Sequence, residues 1–208
     1  MALFTLATGD VKAMKLALFD FDGTITTRDS YQELLRYIVG DWRFFTGVAG
    51  LSPVLLSYKC GLTPNYIAKR KVTRWFLKGM TAERFELKAQ EFVIKKLKPI
   101  VKASAIQKLE WHKEKGHRVI LVSASFEDYL KYWVKLYNIE VIGTKLEWRN
   151  NQITGNFATP NCYGPEKVKR IKQLLDPNDY EEIFAYGDSR GDREMLALAD
   201  HPNYRIFK

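Results

Sequence analysis

Two hydropathy patterns alternate along this chain. Short unbroken apolar runs end in small or acidic residues, and longer stretches repeat their apolar positions every three or four residues. The first run, Lys15-Leu16-Ala17-Leu18-Phe19, predicts a buried strand that stops at Asp20-Phe21-Asp22-Gly23-Thr24. A helix should follow, capped by Asp29 or Ser30, with Tyr31, Leu34, Leu35 and Ile38 on its apolar face and a stop at Gly40. Trp42 to Tyr58 is the most apolar window, with no charge from Phe44 to Tyr58. Gly47, Gly50 and Pro53 break it, and it falls short of the roughly 20 apolar residues a spanning helix needs. The favoured reading is an element buried against its neighbours; the other is an interfacial segment touching lipid between Arg43 and Lys59. Asn65 to Lys78 and Thr81 to Leu97 predict two more helices, and Pro99 opens another through Ile106, Leu109 and Lys113.

His117 to Val122 predicts a second buried strand, finishing in Ser123-Ala124-Ser125, before a helix through Tyr129, Trp133 and Leu136. A short strand over Ile139 to Ile142 precedes a hairpin, Lys145 to Trp148 and Gln152 to Phe157, turned at Asn150-Asn151. Pro165 to Leu175 is a helix with Lys167 near its start. Glu182 to Tyr186 is a third strand, ending in Gly187-Asp188. Gly191 to Ala199 reads as a helix and Tyr204 to Phe207 as a last strand. Strands alternating with helices predict an α/β fold on a parallel sheet, with a helical block inserted after the first strand.

The chain has 208 residues, 46% of them hydrophobic, enough for one domain or one domain carrying a sizeable insertion. Its net charge of +9 attracts anions. The basic residues are spread along helical patterns without aromatic readout motifs, so a nucleic-acid module is not expected. Cys60 and Cys162 have no metal-ligand spacing and read as free thiols in a reducing, cytoplasmic setting. His112, His117 and His201 read as surface or packing residues. Met1 to Met14 lacks the order of a secretory signal and reads as a short tail.

Asp20 and Asp22 lie one residue apart, so on an extended chain their carboxylates point the same way. Two such anions call for a cation or a shared proton, and Mg2+ is the natural hard partner. The other reading is an Asp-Gly turn with both carboxylates solvated. Three strand ends are polar in the same manner, Asp20/Asp22, Ser123/Ser125 and Asp188/Asp192, and ligands of parallel sheets gather at those ends.

Asp20-Phe21-Asp22-Gly23-Thr24, Ser123 after its strand, Lys167, and Gly187-Asp188-Ser189-Arg190-Gly191-Asp192 occur in the order of the four motifs of the haloacid dehalogenase-like hydrolases. The chain resembles that family over about residues 15 to 200, and within it the phosphoserine phosphatase-like branch. The resemblance implies a Rossmann-like core over residues 1–28 and 99–208 and an inserted helical cap over residues 29–98. It also implies a Mg2+-dependent phosphatase acting on a small phosphorylated metabolite. Asp20 would be the nucleophile forming an aspartyl phosphate, and Asp22 the general acid and base. Mg2+ would sit on Asp20, Asp188 and the Asp22 carbonyl, supported by Asp192. Gly23, Thr24, Ser123, Ala124 and Lys167 would meet the phosphoryl group. Asp29 stands about where a substrate-holding glutamate is found in phosphoserine enzymes, and Arg70, Lys71 and Arg74 lie in the region of the cap arginine. Ser-Ala-Ser replaces the Ser-Gly-Gly of those enzymes, so reaction type carries over better than substrate. The alternatives are a phosphatidylglycerophosphatase-like enzyme at a membrane surface and a non-catalytic binding module. Oligomeric state is left open.

Overall fold

Four residues without exposed surface form β1 (Leu16–Phe19), the middle strand of the molecule. It pairs in parallel with β2 (Arg118–Phe126) on one side and β6 (Ile183–Gly187) on the other. With β3 (Glu140–Thr144) and β7 (His201–Tyr204) they make a five-stranded parallel sheet in the order β3-β2-β1-β6-β7. Side chains alternate across its plane. Ala17, Phe19, Val119 and Leu121 join one apolar cluster, and Leu16, Leu18, Ile120 and Val122 join the other. The order reverses direction at β1, so the carboxyl ends of β2, β1 and β6 adjoin where such sheets bind ligands. This computed structural model describes residues 14–208. The tail expected over Met1 to Met14 falls, but for Met14, outside the described residues.

The chain leaves the sheet at Thr26 and returns at Val101, where the two residues form an antiparallel bridge. Between them run α1 (Ser30–Val39), α2 (Asp41–Gly50), α3 (Ser52–Lys59), α4 (Asn65–Leu77) and α5 (Ala82–Phe92). Asp29 caps α1 by accepting the Gln32 N–H at 2.9 Å, and Gly40 ends it as expected. The window from Trp42 to Tyr58 forms two short helices joined at Leu51. It is not a buried element: α3 buries none of its residues and α2 only Gly47. The helix expected from Pro99 starts later, as α6 (Ala103–Glu114), because Lys102 stays extended and donates its N–H to the Ile25 carbonyl at 2.8 Å.

β2 continues through Ser123-Ala124-Ser125 to Phe126 before α7 (Glu127–Tyr137), which turns Tyr129 and Trp133 inward but leaves Leu136 exposed. The hairpin forms as β4 (Leu146–Arg149) and β5 (Gln152–Phe157), with Asn150 and Asn151 at positive φ, the geometry of a two-residue hairpin turn. It packs beneath α4 and bridges Thr81 through Gln152. Lys167 lies on α8 (Pro165–Leu174). The helix expected over Gly191 to Ala199 is a tight 3-10 turn at Arg190–Asp192 followed by α9 (Arg193–Ala197). β7 begins at His201 rather than Tyr204, since Phe184 to Gly187 pair with His201 to Tyr204. Pro202 is tolerated because this strand is an edge.

Two histidines form a pair. His112 Nδ1 lies 2.7 Å from His117 Nδ1, and His112 Nε2 lies 2.9 Å from the Tyr186 hydroxyl. Burial, then the charges of His117 and Lys108, pushes His112 down to about 3. An unfolded histidine takes up its proton near pH 6.5, whereas folded His112 stays neutral down to about 3. Stability present above the unfolded value is therefore lost as pH falls from 6.5 toward 3. The raised Asp20 and Asp22 act in the opposite sense over the same range, so the His112 contribution is read as a difference: relative to His112→Gln, wild type should lose urea midpoint between about pH 7.5 and about pH 5, and a difference that does not change with pH contradicts this.

Candidate active site

Asp20 is the residue at which β1 ends, and its N–H still bonds the Tyr186 carbonyl at 2.9 Å, so the strand holds its backbone in the sheet. Its carboxylate is gripped from both sides. Lys167 Nζ donates to Oδ1 at 2.6 Å and the Thr24 hydroxyl donates to Oδ2 at 3.0 Å. The same lysine donates to the Val122 carbonyl at 2.7 Å and to Asp192 Oδ1 at 2.7 Å. All three ammonium hydrogens are thus used, joining β1, β2 and the loop after β6. Burial works against the charged lysine, but Asp20 and Asp192 beside it hold it well above the ordinary lysine value. Burial raises Asp20 to about 7 against the pull of Lys167.

Asp192 serves the loop that carries Asp188. Its Oδ2 accepts the N–H groups of Asp188 at 3.2 Å and Ser189 at 2.9 Å, and the Ser189 hydroxyl at 2.8 Å. Lys167 and these donors outweigh burial and keep its carboxyl below the usual range. Asp188 is half-buried, with burial and then Asp192 raising it. Asp22 Oδ1 accepts the Ser30 N–H at 2.6 Å and Oδ2 accepts the Ser125 hydroxyl at 2.5 Å. Burial and the nearby Asp29 raise Asp22 to about 6. Ser123 is buried, and its Oγ accepts the Ser125 N–H at 3.0 Å, which leaves the hydroxyl hydrogen to donate elsewhere.

Carboxylate oxygens of Asp20, Asp188 and Asp192 lie within 4.8 Å of one another, and the Lys167 ammonium bonds two of the three, Asp20 and Asp192. Asp192 has both oxygens engaged, whereas Asp20 Oδ2 and Asp188 Oδ1 meet only around the Thr24 hydroxyl. An all-oxygen set with excess negative charge fits a hard divalent cation. Gly23 permits it: at φ +86°, a Cβ there would stand 2.4 Å from Asp188 Oδ2. Gly23→Ala should displace Asp188 and weaken Mg2+ binding, followed by isothermal titration calorimetry, by about tenfold or more. An unchanged Mg2+ titration would show that this approach is unimportant.

A cavity of about 710 Å³ rises from this floor. Asp20, Asp22, Ser123, Ala124 and Lys167 line its base, whereas Tyr31, Phe44, Val48, Leu55 and Val72 of α1 to α4 line the opposite side. Asp29 is at the wall. Of the cap residues singled out in the sequence, Arg70, Lys71 and Arg74 are exposed and outside the lining; the cation facing inward is their neighbour Lys69. It donates to the Ala124 carbonyl and, at 3.3 Å, to Asn161 Oδ1, beneath the Tyr31 and Phe126 rings. Burial lowers it to about 8. A run of three cations hides which one turns inward; Thr73 one turn on and Leu77 two turns on, both buried, mark the inner side of α4. Thr24, expected to meet phosphate, has its hydroxyl on the two carboxylates instead.

A family model for haloacid dehalogenase-like hydrolases matches residues 17–197. Protein CicA of Caulobacter vibrioides (strain NA1000 / CB15N) is 34% identical over 196 residues, covering 93% of this chain and 86% of that protein. A protein of unknown function from Bordetella pertussis Tohama I superposes with a TM-score of 0.79 at 23% identity, covering 89% of this chain and 87% of that one. A substrate-bound phosphoserine phosphatase superposes with a TM-score of 0.62 at 18% identity, covering 90% and 84%.

Proposed function

The chain belongs to the haloacid dehalogenase-like hydrolases, and from that premise we propose that it is a Mg2+-dependent phosphomonoesterase working through an aspartyl phosphate. The observation that carries this reading is the Asp20 carboxylate, held between Lys167 and Thr24 at the floor of a cavity. An oxygen of Asp20 attacks phosphorus, the bond to the leaving oxygen breaks, and Asp22 gives that oxygen its proton. Asp22 then takes a proton from water, which attacks the phosphoryl group and regenerates Asp20. A carboxyl raised to about 6 suits a group that must act first as acid and then as base. Ser123 donates to a phosphoryl oxygen and Lys167 offsets the charge shared by Asp20 and the transferring group. Mg2+, on Asp20, Asp188 and the Asp22 carbonyl, would neutralise phosphoryl charge and orient it. Residues 29–98 act as the cap over this chemistry, on a core that among the described residues runs over 14–28 and 99–208. The free thiols Cys60 and Cys162 support a reducing, cytoplasmic setting.

The test is phosphate release from phosphoserine, histidinol phosphate, nucleotides, phosphatidylglycerophosphate and naphthyl phosphate, with Mg2+ or with EDTA. Release from at least one monoester, abolished by EDTA, is expected. No release from any would leave the binding-module reading standing, and transfer to an acceptor other than water would make it a phosphotransferase. The apolar cap wall favours an apolar leaving group, so kcat/KM should be about tenfold or more higher for naphthyl phosphate than for phosphoserine. The reverse order would mean that the wall does not select.

A further inference from the structure

We propose that the α2–α3 face of the cap seats this protein on an anionic lipid bilayer. Trp42 is 81% exposed, Leu62 80% and Leu56 59%, on the two helices and the turn that follows them. Trp75 of α4 lies beside Gly47 and Gly50 of α2. A Cβ on Gly47 would stand 2.8 Å from Trp75 Nε1 and 2.5 Å from Phe76 Cζ, so the glycine lets α4's rings lie against α2 while Trp75 keeps 60% exposure. An apolar surface with two tryptophans matches the interfacial layer of a membrane, where amphipathic rings settle. Among the described residues no helix is long and apolar enough to cross a bilayer, which leaves seating on the surface.

Charge names the occupant. With Lys69 turned into the cavity, residues 41–78 present six exposed lysines and arginines against one acid, Asp41. Asp41 is itself bonded to Arg36 at 2.5 Å. Exposed basic and exposed apolar side chains on the same stretch of chain complement anionic headgroups, whereas a second copy of the same stretch would bring like charges together. Geometry gives the face a use. Phe45, Tyr58 and Lys59 are exposed and also line the cavity that ends at Asp20, so the cavity opens beside the patch. An amphiphilic phosphomonoester could then enter from the bilayer, a consequence that rests on the phosphatase reading; the docking rests on exposure and charge.

The test is flotation of the full chain with vesicles of phosphatidylcholine alone or mixed with phosphatidylglycerol. Wild type should float with the anionic vesicles at low salt and be released at high salt. The Trp42→Ser/Leu56→Ser pair, outside the cavity lining, should lower the bound fraction about tenfold or more and leave p-nitrophenyl phosphate turnover within about twofold. Lys71→Glu/Arg74→Glu should lower the salt needed for release. No flotation of wild type at low salt overturns the proposal. So does flotation that both pairs of substitutions leave intact, or a dimer that Trp42→Ser/Leu56→Ser splits. Asp20→Asn should float like wild type. Flotation without phosphate release from any monoester would sink the phosphatase reading alone, and turnover without flotation would sink the docking alone.

Discussion

Asp20→Asn should lower the rate of phosphate release by about 10⁴-fold or more while the protein stays folded. The amide is nearly isosteric, so the Thr24 and Lys167 contacts change character without opening a void. What disappears is the anion that attacks phosphorus. Removing a nucleophile collapses the cooperating set, and residual rate then comes from binding and from the remaining charges. The variant should still bind a phosphate ester, because Ser123 and Lys167 remain. Retention of more than about a tenth of wild-type kcat would remove Asp20 from the role of nucleophile.

Lys167→Met carries the second large effect, and it falls on stability as well as rate. Lys167 is buried and donates at 2.6 Å to Asp20 and 2.7 Å to Asp192. Without it two carboxylates face each other with no cation between them. Leaving a buried charge uncompensated costs about 3–5 kcal/mol, which at about 2–4 °C per kcal/mol for a chain of this size lowers Tm by about 10 °C. Mg2+ should recover part of that loss, since it neutralises Asp20 and Asp188. Differential scanning fluorimetry with and without Mg2+ reads both effects. An unchanged Tm in EDTA would mean that the cluster sheds its charge by protonation instead. The catalytic loss, measured separately, should reach about 10²–10³-fold, as for other groups that stabilise charge in the transition state.

Much of this site was legible because strand ends carry a local signal. Leu16 to Phe19 is apolar without interruption and then meets Asp20, and the same break recurs at Val122-Ser123 and at Gly187-Asp188. Adjacent ends of β2, β1 and β6 follow from the parallel order, so three local signals converge on one place. Lys167 shows the limit. On α8 it is one cation among several, and its burial is created by Asp20, Val122 and Asp192, all distant in sequence. Lys69 was hidden in the same way beside Arg70 and Lys71, because composition does not tell which side of α4 packs inward.

The edges of the fold were harder to read for other reasons. His201-Pro202-Asn203 has no strand-like pattern, yet its backbone completes the sheet beside Phe184 to Tyr186. The second strand was expected to finish in Ser123-Ala124-Ser125, but pairing of Phe126 with Thr144 carries β2 one residue further, past a register shift between Val122 and Phe126. The apolar window after Gly40 was expected to be buried, since apolar residues usually are. Apolar content alone does not say what covers it, and here α2 and α3 turn Phe44, Val48 and Leu55 to the cavity and leave Trp42, Phe45 and Leu56 exposed.

The central claim is that phosphoryl transfer passes through the carboxylate at the end of β1. Acid quenching during turnover, followed by borohydride reduction and peptide mapping, tests it directly, because an acyl phosphate is reduced to an alcohol at the residue that carried it. The label should appear at Asp20, in wild type with Mg2+ and not in Asp20→Asn. Label on Asp22, Ser123 or a histidine, or none while phosphate is being released, would contradict the account.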